Sequence, residues 1–366
     1  MALQLCEITN IIESFAPLSL QESYDNAGLI IGSPDIVVSG VLLCVDITEE
    51  VIEEAISKKC NLIISHHPLI FNGLKRINGK NSTQRCVIKA IKNDIAIYAA
   101  HTNLDNVING VNGIIADKLG LINRNVLLPK QGILLKLSTF VPKLHLNRVR
   151  EALFNAGAGH IGNYDSCSFN VEGFGSFRAK DNANPFVGKL NELHFENEIK
   201  LEVILPEYIK TQIINALIES HPYEEPAFDI YPILNQHSSI GLGIIGELEQ
   251  IESENTFLSK VKEVFDLKVL KHTKLLNKDI KKVAICGGSG SFLIEQAISK
   301  NADIFISGDF KYHDYFNAEN KIVIADIGHF ETEQFTKELF YKIIQNKFPT
   351  FAVHISKINT NPILYF

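Results

Sequence analysis

Short apolar runs alternate with amphipathic stretches along much of this 366-residue chain. VLLC ends at Cys44, IAIYAA precedes His101, VAIC ends at Cys286 and IVIADIG precedes His329. Strands that are apolar on both faces are typical of sheets covered by helices on both sides. The stretches between them space apolar residues by three and four positions, which predicts helices. The pattern therefore predicts an α/β fold.

An internal repeat divides this pattern into two related halves. Residues 51–65 read VIEEAISKKCNLIIS and residues 293–307 read LIEQAISKNADIFIS, with eight of the fifteen aligned pairs identical. The same offset aligns VLLC with VAIC, and a third apolar strand follows the repeat in both halves. We therefore predict two related α/β halves that form one domain.

The segment at 131–236, between the halves, has a different character. KLSTFVP and SCSFNVEG predict strands around the helical LHLNRVREALFNAG, and EIKLEVILP, EYIKTQIINALIESH and AFDIYPI repeat the order strand, helix, strand. A β-α-β-β-α-β order is the ferredoxin-like arrangement. Because long insertions into loops cost little entropy, we predict an inserted α+β domain at 131–236 and a main domain of 1–130 plus 237–366.

Composition narrows the classes of function. Hydrophobic residues make up 46% and charged residues 21% of the chain, ordinary proportions for a globular protein. The formal net charge is -7, and no long run of Lys or Arg occurs, which disfavours nucleic acid as a partner. No uninterrupted apolar stretch reaches about 18 residues, so no membrane span is predicted. The six scattered cysteines predict reduced thiols and a cytoplasmic location.

Imidazole and carboxylate groups follow the predicted strands of both halves. His66 and His67 follow NLIIS, His101-x-x-x-Asp105 follows IAIYAA, and His329-x-x-x-Glu333 follows IVIADIG. Functional groups in parallel α/β sheets collect beyond the carboxyl ends of the strands. These residues are therefore predicted to converge on one edge of the sheet.

A metal site is the chemistry that this set of residues suggests. Imidazole with carboxylate suits zinc, iron, manganese or nickel, and the sequence does not choose among them. Adjacent histidines at a strand end point in different directions, so each can serve one of two neighbouring ions bridged by a carboxylate. The alternative is that His66-His67-Pro68 is a structural turn. The two matching His-x-x-x-acid units favour the metal site.

Three further motifs each have a functional and a structural interpretation. The run Gly287-Gly288-Ser289-Gly290-Ser291 opens a helix, where it either holds an anion or only forms a tight turn. In GDFKYHD, Lys311 and His313 either contact an anionic substrate or are solvated. In GAGHIGNY and HPYEEPA, His160, His221 and Glu224 either sense a ligand or metal or belong to turns that close this segment and pack against a partner subunit. We favour the turns.

The chain resembles the NIF-three-like family, also called GTP cyclohydrolase 1 type 2 homologues. The resemblance extends over nearly the whole length, through YDNAGLIIG, SHHPLIF, HTNLD, CGGSGS, GDFKYHD and DIGHFETE. GAGHIGNY and HPYEEPAFDIYP are similar to the longer bacterial branch, whose insert resembles PII-like and CutA-like trimeric domains. GDFKYHD departs from the shorter branch of the family.

The resemblance implies a dinuclear centre with two divalent ions per chain, zinc being expected and iron or manganese being alternatives. Carried onto this chain, His67 and Asp105 would hold one ion, His66 and His329 the other, and Glu333 would bridge them. His101 would lie beside the metals. The resemblance also implies a homo-hexamer, a toroid of two stacked trimers.

Two functions remain open at this point. The first is a metal-dependent hydrolase that acts on a nucleotide or small phosphorylated substrate through metal-activated water, with His101 and Glu333 as catalytic residues. The second is a non-catalytic metal-handling or regulatory protein whose insert senses a ligand. Both use the same metal ligands, so the sequence does not separate them.

Overall fold

Two units, each with its own hydrophobic core, make up residues 3–366, the part of the chain that the computed structural model describes. The first unit joins the residues up to Pro129 with Ser239–Phe366, and the second is Lys130–Ser238. Helices and several sheets occur together, so the predicted mixed α/β class is confirmed.

The strands, in chain order, are β1 (Leu3–Gln4), β2 (Gly28–Ile31), β3 (Val37–Val38), β4 (Val41–Cys44), β5 (Leu62–Ser65), β6 (Ala96–Ala99), β7 (Leu121–Pro129), β8 (Leu134–Pro142), β9 (Ser168–Arg178), β10 (Leu193–Pro206), β11 (Phe228–Ile233), β12 (Gly241–Ser253), β13 (Lys271–His272), β14 (Asp279–Ser289), β15 (Ile304–Gly308), β16 (Val323–Asp326) and β17 (Val353–Ile355).

The helices, in chain order, are α1 (Leu5–Phe15), α2 (Glu49–Ser57), α3 (Ser82–Lys92), α4 (Thr102–Asp105), α5 (Val111–Leu119), α6 (Leu146–Asn155), α7 (Lys210–Ser220), α8 (Glu254–Val264), α9 (Ile294–Ser299), α10 (His329–Glu333) and α11 (Thr336–Lys347). Short 3-10 helices lie at Leu18–Leu20, Lys143–His145, Glu207–Ile209, Ser291–Leu293 and Asp314–Ala318. None of the helices among residues 3–366 is long and apolar enough to cross a membrane.

Each predicted half supplies three parallel strands to its own sheet. The first sheet has the order β17-β4-β5-β6-β2, in which β4, β5 and β6 are parallel. The second has the order β13-β16-β15-β14-β12-β7, in which β14, β15 and β16 are parallel. The halves differ between their second and third parallel strands. In the first half α3 lies between β5 and β6, whereas in the second half only a 3-10 helix lies between β15 and β16. The C-terminal β17 returns to the first sheet beside β4.

Alternation along the strands distributes the apolar side chains between a shared core and two outer cores. Leu43 and Ile64 of the first sheet and Ile285 and Ile306 of the second belong to one core, together with side chains of α1, α5, α8 and α11. The intervening residues pack outward, against α2 and α3 in the first half and against α9 in the second. Both faces of the strands are therefore buried, which explains their uninterrupted apolar sequences.

The second unit forms a four-stranded antiparallel sheet with the order β11-β8-β10-β9. Its elements follow the order β-α-β-β-α-β, with α6 and α7 as the two helices. Leu137 and Leu201 of the sheet pack with Val149 and Leu217 of the helices in a separate core. A closer likeness to PII-like and CutA-like domains stays a prediction.

We expect the first unit to fold without the second. Pro129 of β7 pairs directly with Gly241 of β12, so the two ends of the intervening segment are neighbours in one sheet. Replacing Lys130–Ser238 with a short Gly-Ser linker should give a monodisperse protein with a cooperative thermal transition, measured by circular dichroism. The segment Lys130–Ser238, expressed alone, should also fold. Aggregation of the shortened chain with every linker length tried would show that the two units depend on one another for folding.

Candidate metal centre

Five of the predicted site residues follow the carboxyl ends of three strands, β5 and β6 of the first sheet and β16 of the second, so they converge from two sheets and not from one edge of a single sheet as predicted. His66 and His67 follow β5 directly, and Asp105 ends α4, the single turn of helix after β6. His329 and Glu333 begin and end α10, which follows β16. Because residues four apart lie on the same side of a helix, His329 Nε2 is 3.1 Å from Glu333 Oε2.

The Glu333 carboxylate lies between two pairs of side chains. One oxygen, Oε2, is 3.1 Å from Nε2 of both His67 and His329, and these two nitrogens are 3.3 Å apart. The other oxygen, Oε1, is 3.5 Å from His66 Nε2, which is also 3.8 Å from Asp105 Oδ1. The structure thus brings the other four residues, His66, His67, Asp105 and His329, together around Glu333.

This pairing differs from the one that the resemblance implied. The resemblance grouped His67 with Asp105 and His66 with His329, whereas the structure places His66 beside Asp105 and His67 beside His329. The cause is the alternation of side-chain directions at the end of β5. The fully buried His66 ring points towards the first half, and His67 points towards α10 of the second half.

Each histidine of this group has its Nδ1 atom engaged and its Nε2 atom directed at the centre. His66 Nδ1 donates to the Ala100 carbonyl oxygen at 3.0 Å. His67 Nδ1 lies 2.7 Å from Asp46 Oδ1, and His329 Nδ1 lies 2.6 Å from Asp309 Oδ2. Since these partners only accept hydrogen bonds, the proton of the neutral ring lies on Nδ1 and the lone pair lies on Nε2, as in metal-ligating histidines.

The inward-facing atoms fit a metal ion better than they fit one another. The side chains of His66 and Glu333 are only 0% and 4% exposed. His66 Nε2, Asp105 Oδ1 and Glu333 Oε2 are buried atoms with no hydrogen-bond partner among the described residues. Burying such groups without a partner is costly, and cations bound on the two sides of Glu333 would satisfy all three. Nitrogen and carboxylate oxygen donors suit zinc, iron and manganese.

The electrostatic field of the site also favours positive charge. Burial alone would lower the pKa of His67, but the neighbouring carboxylates of Asp46 and Glu333 raise the pKa to about 10. Burial would likewise lower the pKa of His329, but the neighbouring carboxylates of Glu333 and Asp309 raise it to about 9. Burial would raise the pKa of Glu333, yet the neighbouring His66 and His329 lower it well below the usual value. Protons and metal ions therefore compete for the same atoms.

His101 lies at the edge of the centre. Its ring centroid is 5.3 Å from that of His66 and 5.2 Å from that of His67. His101 Nδ1 is 2.7 Å from Oδ1 of Asp25, whose other oxygen accepts hydrogen bonds from the backbone and side chain of Thr102. One nitrogen of His101 is thereby engaged, and His66, His67 and His101 together form a group whose ligand atoms lie within 4.8 Å of one another and could hold a metal ion.

The glycine-rich run has a steric role in the structure. The N–H groups of Gly287 and Gly288 donate to Asn112 Oδ1 and Thr332 Oγ1, so protein side chains already occupy the expected anion cradle. A Cβ atom at Gly288 would overlap Glu333 Oε1 and lie 3.3 Å from His329 Cε1. The anion-binding interpretation is therefore wrong for these two N–H groups. Glycine is required because the backbone passes against the carboxylate.

The remaining motifs do not join the centre. Lys311 and His313 are exposed, whereas Asp309 of that loop contacts His329. In the second unit, His160 is exposed and Glu224 accepts from the Asn184 N–H. Both nitrogens of the buried His221 are engaged, since Nδ1 accepts from Tyr223 N and Nε2 donates to the Phe140 carbonyl. His221 is therefore a structural histidine, in contrast to His66, whose Nε2 has no such partner.

Sequence reasoning did not find the residues that orient the rings. Asp46 follows the strand that ends at Cys44, and Asp25 lies within YDNAGLIIG, a segment quoted for the family resemblance. Asp309 is the second residue of GDFKYHD and, at the repeat offset, occupies the position equivalent to His67. For Asp46 and Asp309, the available signal was a carboxylate just after a strand. Thr360 Oγ1, which donates to Asp46 Oδ2 at 2.7 Å, had no signal in the sequence.

Comparison with known proteins gives matches over the whole chain. Residues 3–362 match a family model described as Duf34/NIF3 (NGG1p interacting factor 3). A Halalkalibacterium halodurans protein named GTP cyclohydrolase 1 type 2 homolog is 41% identical over 363 residues, 98% of each chain. A Bacillus subtilis protein with the same name is 39% identical over 365 residues, again 98% of each chain.

Solved structures agree with these matches. A crystal structure of a Bacillus cereus protein related to NIF3 superposes with a TM-score of 0.87 at 38% identity, covering 100% of both chains. A Staphylococcus aureus protein superposes with a TM-score of 0.78 at 31% identity, covering 100% of this chain and 99% of that one. The mixed α/β fold with several sheets is thus also the fold of these relatives.

We expect Thr360→Val to weaken metal binding at this centre by about tenfold, because Asp46 would lose the hydroxyl that holds it against His67. Thr360→Ser keeps that hydroxyl and should restore the affinity, measured by competition with a zinc-binding indicator dye. Ser356→Ala is the control, since Ser356 Oγ donates to Glu54 Oε2 at 2.5 Å in the same C-terminal segment but does not touch the site. Equal affinities of the Val and Ser variants would show that Thr360 does not position the ligand.

Proposed function

This chain belongs to the DUF34/NIF3 family, and we propose that it is a hydrolase that depends on two divalent metal ions per chain. The proposed substrate is a nucleotide, such as GTP, or another small phosphorylated molecule. The name of the close relatives, GTP cyclohydrolase 1 type 2 homolog, supports this substrate class. Zinc is the proposed metal, with iron and manganese as alternatives that use the same donor atoms.

The observation that carries the proposal is the position of the Glu333 carboxylate, with one oxygen facing His67 and His329 and the other facing His66. A carboxylate that presents its two oxygens to two sets of ligands is suited to bridge two ions. We propose that His66 and Asp105 hold one ion, that His67 and His329 hold the other, and that Glu333 contributes one oxygen to each.

Two bound ions of this kind activate water and stabilise negative oxygen atoms during a displacement. The chain itself supplies the remaining functions. Asp46, Asp309 and the Ala100 carbonyl hold three rings in one orientation, which avoids reorganisation during the reaction. His101, anchored by Asp25, would accept a proton at Nε2 and return it to the leaving group.

Three further parts of the proposal concern the second unit, the assembly of the protein and its location. We propose that Lys130–Ser238 is an inserted PII/CutA-like domain, supported by its β-α-β-β-α-β order and its separate core. Assembly into a hexameric toroid and a cytoplasmic location stay predictions from the sequence.

A non-catalytic role in metal handling or regulation is the second candidate. A cavity of about 560 Å³ in Lys130–Ser238 favours it, because a ligand bound there would give the protein a sensing function. The metal centre would then have a structural or storage role with the same ligands.

Elemental analysis of the purified protein should find two transition-metal ions per chain. His329→Ala removes one imidazole beside Glu333 and should lower the content of both ions, since the bridging carboxylate couples the two positions. His272→Ala is the matched control, because His272 is an exposed histidine of the same unit whose ring nitrogen hydrogen-bonds to the Thr273 carbonyl oxygen. Full metal content in His329→Ala would refute the assigned ligands.

His101→Gln should retain most of the metal while lowering the rate of hydrolysis by about 10–100-fold. Glu333→Gln should lose the metal, because two cations would lose the negative charge between them. The assay is metal-loaded protein with a panel of nucleotides and phosphoesters, alongside elemental analysis of each variant. Metal loss in His101→Gln as complete as in Glu333→Gln would make His101 a ligand. A loaded wild-type protein that hydrolyses nothing in the panel would favour the non-catalytic role.

A further inference from the structure

The second unit contains a cavity that the proposed metal chemistry does not use. It measures about 560 Å³ and is lined by the adjacent ends of β8, β9 and β10, by the segment 183–186 and by the turn at 223–227. Cavities that bind small molecules in proteins usually measure about 300–1,000 Å³. The volume is therefore sufficient for a small organic ligand.

Aromatic rings form much of the cavity wall. The ring centroids of Phe177 and Tyr223 are 6.1 Å apart, and those of Phe186 and Tyr223 are 6.2 Å apart. The planes of both pairs are tilted, at 56° and 48°, so the rings present several faces and edges to the cavity. Phe140 lines the same space. A wall of this composition binds apolar groups and, through the negative ring faces, cations.

The carboxylate of Glu198 is placed among these rings, and Glu224 and Glu225 also line the cavity. A Cβ atom on Gly175 of β9, which lies diagonally across from Glu198 in the sheet, would overlap Glu198 Oε2, so the glycine leaves the space that this side chain occupies. Burial raises the pKa of Glu198, and the neighbouring Tyr223 hydroxyl opposes this effect only in part. The site therefore holds a carboxylate in surroundings that disfavour its negative charge.

Glu198 differs from the other acidic residues of its sheet in lacking a basic partner. Glu202 is 2.7 Å from Lys200 Nζ, Glu172 is 2.7 Å from Lys143 Nζ, and Glu196 is 2.9 Å from His194 Nε2. Among the described residues, no Lys, Arg or His side chain forms an ion pair with Glu198. A carboxylate of this kind is stabilised by a cation supplied from outside the chain.

We propose that this cavity binds a small organic cation carrying an alkylated ammonium group. The alkyl groups would contact the faces of Phe177, Phe186 and Tyr223, and Glu198 would be the counter-ion. Cation–π attraction acts within about 6 Å of a ring centroid and strengthens when the cation is desolvated. Arg178 and Lys180 lie at the rim, where both are exposed and solvent screens their charge. The inference is independent of the metal centre and goes beyond the proposed hydrolase.

The test uses the full-length protein and three probes of similar size. Choline supplies a quaternary ammonium, 3,3-dimethylbutan-1-ol is its neutral isostere, and benzoate is an apolar anion. Saturation-transfer NMR and calorimetric titration should give a saturable choline signal and an affinity for choline at least about tenfold above that for the alcohol. Equal affinities for choline and the alcohol would overturn the proposal. So would binding of benzoate without choline, which would make Arg178 and Lys180 the recognising groups.

Two variants locate the site. Glu198→Gln should lower the choline affinity by about tenfold and leave the affinity for the alcohol unchanged, because only the charge is removed. Phe186→Leu keeps an apolar side chain but removes a ring face, and it should weaken choline binding several-fold. Glu202→Gln is the matched control on the same strand, since Lys200 already neutralises Glu202. Unchanged choline affinity in both Glu198→Gln and Phe186→Leu, each with a normal thermal midpoint, would show that choline binds elsewhere.

Discussion

The buried carboxylate of Glu333 is the constraint on which the metal centre depends. A charge that is 4% exposed is costly unless it is compensated, and its compensation comes from the rings of His66 and His67 in one half and His329 in the other. Both related halves must therefore pack through their shared core for the site to exist. The glycine at position 288 lets β14 pass against the same carboxylate.

Orientation of the rings is distributed over the first unit. Asp46, Asp309, Asp25 and the Ala100 carbonyl each fix one Nδ1 atom, and they come from segments far apart in the chain. Thr360, in the C-terminal segment after β17, holds Asp46 in turn. The return of β17 to the first sheet thus connects the segment around Thr360 with the candidate ligand His67. The geometry of the centre depends on the fold of the whole unit and not on one loop.

The repeat does not produce two equivalent sites. At the repeat offset, the position of His67 in the first half corresponds to Asp309 in the second, which orients His329 instead of providing a ring. His101 and Asp105 follow the third parallel strand of the first half, as His329 and Glu333 follow that of the second. Even so, His101 lies at the edge of the centre and Glu333 in its middle. The same strand-end position therefore supplies a candidate ligand, His67, in the first half and orients another candidate ligand, His329, in the second, and the two rings meet in a single centre.

The sequence by itself determined the strands, the related halves and the residues that converge, because buried strands need continuous apolar runs and functional groups follow their carboxyl ends. It also determined the contact between His329 and Glu333, since residues four apart in a helix are neighbours. Only the tertiary structure decided that His66 faces Asp105 while His67 faces His329, and that the glycine run accommodates the Glu333 side chain instead of an external anion. The spacing of residues along the chain determines the strand or helix position that each side chain occupies. The packing of the two sheets determines the direction in which that side chain points and the partner that it contacts.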